Sequence, residues 1–489
     1  MLVLRPLAAS IALLAAQCLF SAVDAAACNS FSTRFNQNIE GVCVCTAASC
    51  DTVSNGYLSL GANEAGIYQT TKAGDRLAYS TVAIEKGALA SADIVIDSTV
   101  RYQKVDDFEM AHFSIDVDKA PQSNKLNFIK RAIQTTRVAQ RDLTFFASAW
   151  GPPVWMTQDN TTINAKLKGV AGGPYWKALA LYYSKFIDAY AAEGVKVWGL
   201  TTQNEPIQQV AGLYWQSLRF NMTQERDWIK SDLGPILKQN HPDVKLIILD
   251  DQKDELLKWN AALKDPEARQ YVHGVGVHWY KNLDFLSKTA GNFGDLTTWQ
   301  EANPDLFILP TEACEGYLIE PLGTGAGVKL LQPEIVWKRG EIYARDIIND
   351  LANYATGWTD WNLVLNTKGG PTWVGNNVDS PILVDEEGKK EFYKQPMYYV
   401  MGHFSKFLPP QSVRLHMTVN AGATAALANV DRVAFFTPEN QVVLVLQNRD
   451  VTPKNVSISM AFEGHHATIT LPANSVQTVI VGERLRPTC

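Results

Sequence analysis

The 489-residue chain has no excess of cations: 44 Lys and Arg stand against 50 Asp and Glu, a formal charge of -6. It therefore offers no broad positive field with which to condense on phosphates, and nucleic acid is not an expected partner. Low-complexity tracts, internal repeats and long linkers are also missing. With 46% apolar and 19% charged residues, the chain falls outside the disordered and fibrous classes. Its length allows two or three domains, each with its own core. Beyond the first 27 residues no stretch approaches the ~18 uninterrupted apolar residues of a membrane span. Several catalytic signatures are absent: there is no G-x-S-x-G elbow, no H-E-x-x-H pair and no P-loop, and the G-T-G-A-G run at Gly323 to Gly327 follows no strand. Nothing in the chain calls for a metal or an organic cofactor.

What is present begins with an export signal. Arg5, the apolar run Leu7 to Val23 and the small residues Ala25-Ala26-Ala27 read as a signal peptide over residues 1–27, which directs the chain to the secretory pathway and leaves Cys28 first. Cys28, Cys43, Cys45 and Cys50 follow, and in an oxidising compartment they predict two local disulfides, sequential pairing being the simplest of three connectivities. A zinc site would need two well-spaced ligand pairs, preferably with His, which this cluster lacks. Sequons at Asn160, Asn221 and Asn455 are glycosylation candidates consistent with export.

The hydropathy pattern changes twice along the chain. From Thr52 to Val105, and again after Ser412, short runs such as ADIVIDSTVRY and QVVLVLQN alternate polar and apolar residues, as antiparallel sheet does. Between them, LTFFASA, VKVWGLTTQ, VKLIILD, VHGVGVHWY, LFILPTEA and TGWTDWNLVL are strand-like runs separated by amphipathic helical segments. That is βα repetition and predicts a parallel barrel. The expected organisation is thus α/β plus all-β: an N-terminal sandwich part at 28–102, a TIM (β/α)8-type barrel at 103–404 and a second sandwich part at 405–489, the two β-rich ends forming one discontinuous antiparallel sandwich. Only six barrel strands are visible; the stretch Gln103 to Ile133 is too short for the first two βα units.

Barrel enzymes collect function at the C-terminal ends of their strands. VKVWGLTTQ runs into Asn204-Glu205-Pro206, and LFILP into Thr311-Glu312-Ala313. Two carboxyls at one rim suit glycoside hydrolysis, in which one group donates a proton to the leaving oxygen and the other, ionised, attacks or stabilises the sugar cation. Asn204 stands where it could hold a sugar 2-hydroxyl. Trp150, His278, Trp279, Tyr280, Trp358 and Trp361 also fall at strand ends, as platforms for a ring or as core. Cys314 reads as a small buried thiol rather than a nucleophile.

The stretches CVCTAASCD, FFASAWGPPVWM, TTQNEP, LDDQK, YVHGVGVHWY, ILPTEACEG, GWTDWNLVLN, GGPTWVGNNVDSPI and FYKQPMYYVMGHFSKF run in order from Cys28 almost to the C-terminus. In them the chain resembles the retaining glycoside hydrolase family 30, and within it the glucosylceramidases, the acid β-glucosidases of lysosomes. The resemblance implies a (β/α)8 barrel carrying a β-sandwich made from both chain ends. It implies Glu205 as acid/base and Glu312 as nucleophile, with carboxyls ~5 Å apart. Trp150, Asn204, Trp361 and Asn376 would contact the glucose, His278 and Tyr280 would orient the carboxyls, Trp215 would stand at the cleft mouth and Gln252 on a rim loop. The implied substrate is glucosylceramide, hydrolysed in the lysosome with help from a saposin-type activator and anionic lipid. The chain departs from the family in one place. Gln103-Lys104-Val105 runs directly into Asp106-Asp107-Phe108, where the family has a strand, an Asp that binds glucose, a helix and a second strand. The alternative this raises is a catalytically impaired relative that only binds glycolipid or a partner.

Overall fold

The computed structural model of the chain describes residues 31–32, 35–38, 43–46, 110–138, 142–207, 215–282, 292–318, 323–460 and 465–481. The expected signal peptide, Cys28 and Cys50, the side chains of Cys43 and Cys45, and the strands expected between Thr52 and Val105 all lie outside the described residues. Near the N-terminus β1 (Phe31–Ser32) pairs with β2 (Gln37–Asn38), and β3 (Cys43–Thr46) follows.

Five of the six expected barrel strands form one parallel sheet in sequence order: β4 (Phe145–Ala147), β5 (Val197–Thr201), β6 (Lys245–Gln252), β7 (Gly274–His278) and β8 (Phe307–Glu312). Their near-continuous apolar character follows from burial on both faces, which parallel sheets require. Every residue of β7 is buried, whereas all three residues of β4 are only half-buried. Among the described residues no strand precedes β4 in this sheet. The helix Lys125–Val138 buries Leu126 alone, and Val138 is 79% exposed. Among the described residues β4 is thus an edge strand of this sheet.

The crossover helices are fixed by local signals. Pro174 opens the helix Pro174–Ala192 at its first turn, where a missing N–H costs nothing, and Gly194 leaves it at φ 80°. Trp176, Leu179, Ala180, Tyr183, Ile187 and Tyr190 recur at helical spacing and are all buried against the sheet.

The sixth expected strand, TGWTDWNLVL, is not a ladder strand. It follows β8 through an isolated bridge between Ala355 and Ile308 and through N–H donations from Thr356 to Ile308 and from Trp361 to Ala313, at 2.9 and 2.8 Å. Side chains between these points are anchored sideways instead: Trp358 Nε1 donates to Asp346 Oδ2 at 2.7 Å. The end of the run becomes β9 (Val364–Asn366), which pairs with β10 (Ile382–Val384) in a separate sheet. There β11 (Glu391–Lys394) joins β10 and takes β3 on its other side.

The C-terminal sandwich packs the sheet β12 (Val413–Arg414), β13 (Val430–Phe436), β14 (Val442–Asn448) and β17 (Ser475–Val481) over the hairpin β15 (Lys454–Met460) and β16 (His465–Leu471). Val430, Leu444, Leu446, Val456 and Leu471 fill its interior. The sandwich is tied to the barrel by a second core in which Tyr343, Ile347, Met397 and Val400 meet Val433, Phe435, Val443 and Val445. Gly340 lets two helices touch there: a Cβ at that position would stand 2.7 Å from Pro396 Cβ.

Candidate active site

Strand register lays out the site. Across β6, β7 and β8 the partners Gln252, His278 and Glu312 stand abreast at the C-terminal rim. Glu205 reaches the same place from the turn after β5. It adopts φ 45°, an uncommon conformation for a side-chain-bearing residue, and its N–H donates to the Asp250 carbonyl at 2.9 Å. On β6, Leu249 and Asp250 also have positive φ, 69° and 51°, and the ladder slips by one residue there. Such bulges recur beside active sites, where they re-aim side chains. Beyond the slip Asp250 and Gln252 meet the cluster, while Asp251 accepts the Ile207 N–H at 3.1 Å.

The resulting network is buried. Glu205 Oε1 accepts from Gln252 Nε2 at 3.1 Å and lies 3.1 Å from His278 Nδ1. His278 Nε2 lies 3.1 Å from Asp250 Oδ1. The Tyr280 hydroxyl donates to Glu312 Oε1 at 2.8 Å. An oxygen of each glutamate and a ring nitrogen of His278 all lie within 4.8 Å of one another. This trio has ligand types a metal could use; both His278 nitrogens lie 3.1 Å from a carboxylate oxygen, an arrangement that two N–H donors satisfy.

Burial and mutual charge set the protonation states. Burial pushes Glu312 up to about 7, and the Glu205 charge adds to this, while His278 and Tyr280 oppose it. Burial pulls His278 down, but Glu312, Asp250 and Glu205 outweigh it and hold the ring well above its ordinary value. Burial also drives the Cys314 thiol well above its usual range, which fits the inert thiol expected from sequence.

The remaining expected residues divide. Asn204 is buried, and its N–H donates to the Ala149 carbonyl at 3.0 Å; the Trp150 carbonyl accepts from Gln203 Nε2 at 2.9 Å. Trp361, 37% exposed, starts one hydrogen bond away from Ala313, the residue after Glu312. Gln252 belongs to the last position of β6 and touches Glu205, rather than standing on a rim loop. Asn376 and Trp215 are partly exposed on flanking loops. Trp279 and Trp358 are core instead: they pack edge-to-face at 6.1 Å, beside Tyr343. Asn160, Asn221 and Asn455 are exposed. Asn221 also caps the helix Met222–Trp228, its Oδ1 accepting the Gln224 N–H at 2.9 Å. The residues that sequence reading passed over are Asp250 and Ser148, whose hydroxyl donates to Asp250 Oδ2 at 2.6 Å. The adjacent acids of LDDQK at a strand end were the available signal.

A parallel βα sheet with two glutamates facing each other across its C-terminal rim, beside a β-sandwich, defines the chain as a glycoside hydrolase. It belongs to glycosyl hydrolase family 30: the family's TIM-barrel domain matches residues 75–408 and its beta sandwich domain residues 411–479. The chain is 37% identical to lysosomal acid glucosylceramidase of Mus musculus over 413 residues, 82% of this chain and 75% of the relative. It is 30% identical to putative glucosylceramidase 2 of Caenorhabditis elegans over 509 residues, 90% and 93% of the two chains. In fold it is similar to the crystal structure of SrfJ from Salmonella typhimurium, at 23% identity and a TM-score of 0.65, covering 77% of this chain and 76% of that one.

Proposed function

We propose that the chain is a retaining β-glucosidase that hydrolyses glucosylceramide to glucose and ceramide by double displacement. The observation that carries this reading is the approach of the Glu205 and Glu312 carboxyl oxygens to within 4.8 Å. Retaining enzymes hold their carboxyls about 5–5.5 Å apart, whereas inverting enzymes leave room for a water between them. Glu312 is the nucleophile and Glu205 the acid/base. The reaction uses the pair with Glu312 ionised and the proton on Glu205, and His278 and Tyr280 favour that state by opposing the burial that raises Glu312. Trp150, Asn204, Trp361 and Asn376 contact the sugar, Tyr280 and His278 orient the carboxyls, and Trp215 stands at the cleft mouth. The substrate follows from the glucosylceramidase relatives. A lysosomal address, a saposin-type activator and anionic lipid belong to the same proposal; among the described residues no helix is long and apolar enough to cross a membrane.

The test is glucose release from glucosylceramide at mildly acidic pH, beside Glu312→Gln. Turnover in the parent and none in the variant supports the assignment; equal turnover in both sinks it. A second reading is favoured by the half-buried edge strand β4: an impaired glucosylceramidase that binds glycolipid or a partner without turnover. It predicts activity only when the family's barrel segment is restored after Val105.

A further inference from the structure

One imidazole is held between two carboxyls. His278 is 1% exposed, with Nδ1 3.1 Å from Glu205 Oε1 and Nε2 3.1 Å from Asp250 Oδ1. An ionised carboxylate only accepts hydrogen bonds, so a ring facing two of them satisfies both when each nitrogen carries a proton. Asp250 is built to stay ionised. Ser148 Oγ donates to its second oxygen at 2.6 Å and is itself 2.6 Å from Thr201 Oγ1. Burial pushes the Asp250 carboxyl up, yet its hydrogen bonds with His278 and Ser148 hold it below the usual carboxylate range. The groups facing the ring are Glu205 after β5, Asp250 and Asp251 on β6, Glu312 on β8 and the Tyr280 phenol, its ring centroid 6.1 Å away.

We infer that Asp250 is a positioning residue that holds His278 as an imidazolium, the fixed positive charge shared by Glu205 and Glu312 through both halves of the reaction. The inference rests on the double-displacement reading. In the first half a Glu312 oxygen bonds to the anomeric carbon, the bond to the leaving oxygen breaks, and Glu205 gives that oxygen its proton. The negative charge has then moved from Glu312, now an ester, to Glu205. In the second half water bonds to the anomeric carbon, Glu205 takes its proton, and the ester bond breaks to restore the Glu312 carboxylate. The charge moves out and back, always within 4.8 Å of the same ring. A neutral imidazole would leave it without a counter-charge in a site where water cannot supply one. Asp250 never touches the sugar; it acts by fixing which protons the ring carries, as the buried carboxylate behind a catalytic histidine does elsewhere.

The experiment follows His278 in the full-length chain by NMR of histidines labelled at Cε1, with His278→Gln to assign the signal, in the parent, Asp250→Asn and Asp250→Glu. The ring is expected to stay charged well above the range of an ordinary histidine in the parent and to titrate about one to three units lower in Asp250→Asn. The alkaline limb of kcat/KM moves as the counter-charge beside Glu205 is lost, and Asp250→Glu restores both. A ring that titrates as an ordinary histidine in the parent overturns the inference, as does an Asp250→Asn profile whose alkaline limb stays in place while kcat falls equally at every pH. Ser148→Ala keeps the charge but removes one hydrogen bond to Asp250, and it gives a smaller downward shift even where Asp250→Asn fails to fold. Glu205→Ala with added azide separates the two readings. No rescue by azide removes the acid/base assignment, whereas rescue beside an unmoved Asp250→Asn limb removes only the role of Asp250.

Discussion

The hydroxyl of Tyr280 donates to Glu312 Oε1 at 2.8 Å and lies 3.5 Å from Cys314 Sγ. Burial raises the Glu312 carboxyl and the tyrosine opposes that rise by stabilising the charged form. Tyr280→Phe removes that opposition, so Glu312 requires a higher pH to ionise. The acidic limb of the pH profile should move up, with kcat falling roughly ten- to a hundredfold and thermal stability nearly unchanged. A profile that falls at every pH without a shift of the acidic limb would deny Tyr280 this role.

Acid should stabilise the fold. Burial raises Glu225, Asp251, Asp360 and Glu312 each to about 7, well above the ordinary carboxyl range. A carboxyl whose folded value is raised contributes stability in full below its unfolded value and loses it as pH rises through the folded one. The loss for all four falls between about pH 4 and pH 7. His278, raised in the same direction, adds a loss at the upper end as its folded value is passed, while Asp250, held low, has its own loss below this window. Melting by circular dichroism should show Tm higher at about pH 5 than at about pH 7.5 by roughly 5 °C or more. A Tm that rises over that interval contradicts the assignment. The direction suits a protein working in an acidic compartment.

Much of this site was legible from strand periodicity. The five runs ending at Ala147, Thr201, Gln252, His278 and Glu312 are apolar, short and followed by polar residues, so both glutamates could be placed at one rim before any contact was known. TGWTDWNLVL misled because its apolar residues serve the second core and the β9 sheet, and composition does not say which neighbour a hydrophobic run will meet. Asp250 was passed over because its role depends on positive φ at Leu249 and Asp250, residues that carry no glycine-like signal for that conformation. The aromatics could not be divided from sequence for a third reason. Trp361 and the buried Trp279 have the same side chain near the same rim, and only the packing of Tyr343 and Trp358 decides that Trp279 turns inward.

Just past the end of β6, Lys253 is buried beside Asp346 and Asp350, with Nζ 3.1 and 2.6 Å from their oxygens and side-chain exposures of 1%, 4% and 0%. Asp346 also accepts from Trp358 Nε1 and Asn282 Nδ2, so this cluster ties β6 to the helix Pro333–Ala352 and to the segment beside β8. Lys253→Met leaves two buried carboxyls without their cation and should cost about 3–5 kcal/mol in denaturant unfolding. A triple change to Met at 253 with Asn at 346 and 350 should recover part of the loss, since the uncompensated charge, rather than the missing bridge, is what destabilises. A single-variant cost below about 1 kcal/mol would mean the ion pairs contribute nothing net.

The open edge of the parallel sheet makes the last expectation. Among the described residues, β4 hydrogen-bonds to β5 on one side only, and its register shifts between Phe145 and Phe146. β6 has ladders on both sides and seven buried residues of eight. Backbone groups without a ladder partner exchange with water through smaller openings than those in a doubly paired strand. Amide hydrogen exchange read by mass spectrometry should therefore find Phe145–Ala147 less protected than Lys245–Gln252 by tenfold or more, on the order of 1.4 kcal/mol of opening free energy. Restoring the family segment after Val105 should bring β4 toward the protection of β6, and it should raise Tm because half-buried Phe145 and Phe146 then lose their exposure. Equal protection of the two strands in the chain as it stands would show that the edge is already covered, and the impaired reading of the enzyme would lose the observation that favours it.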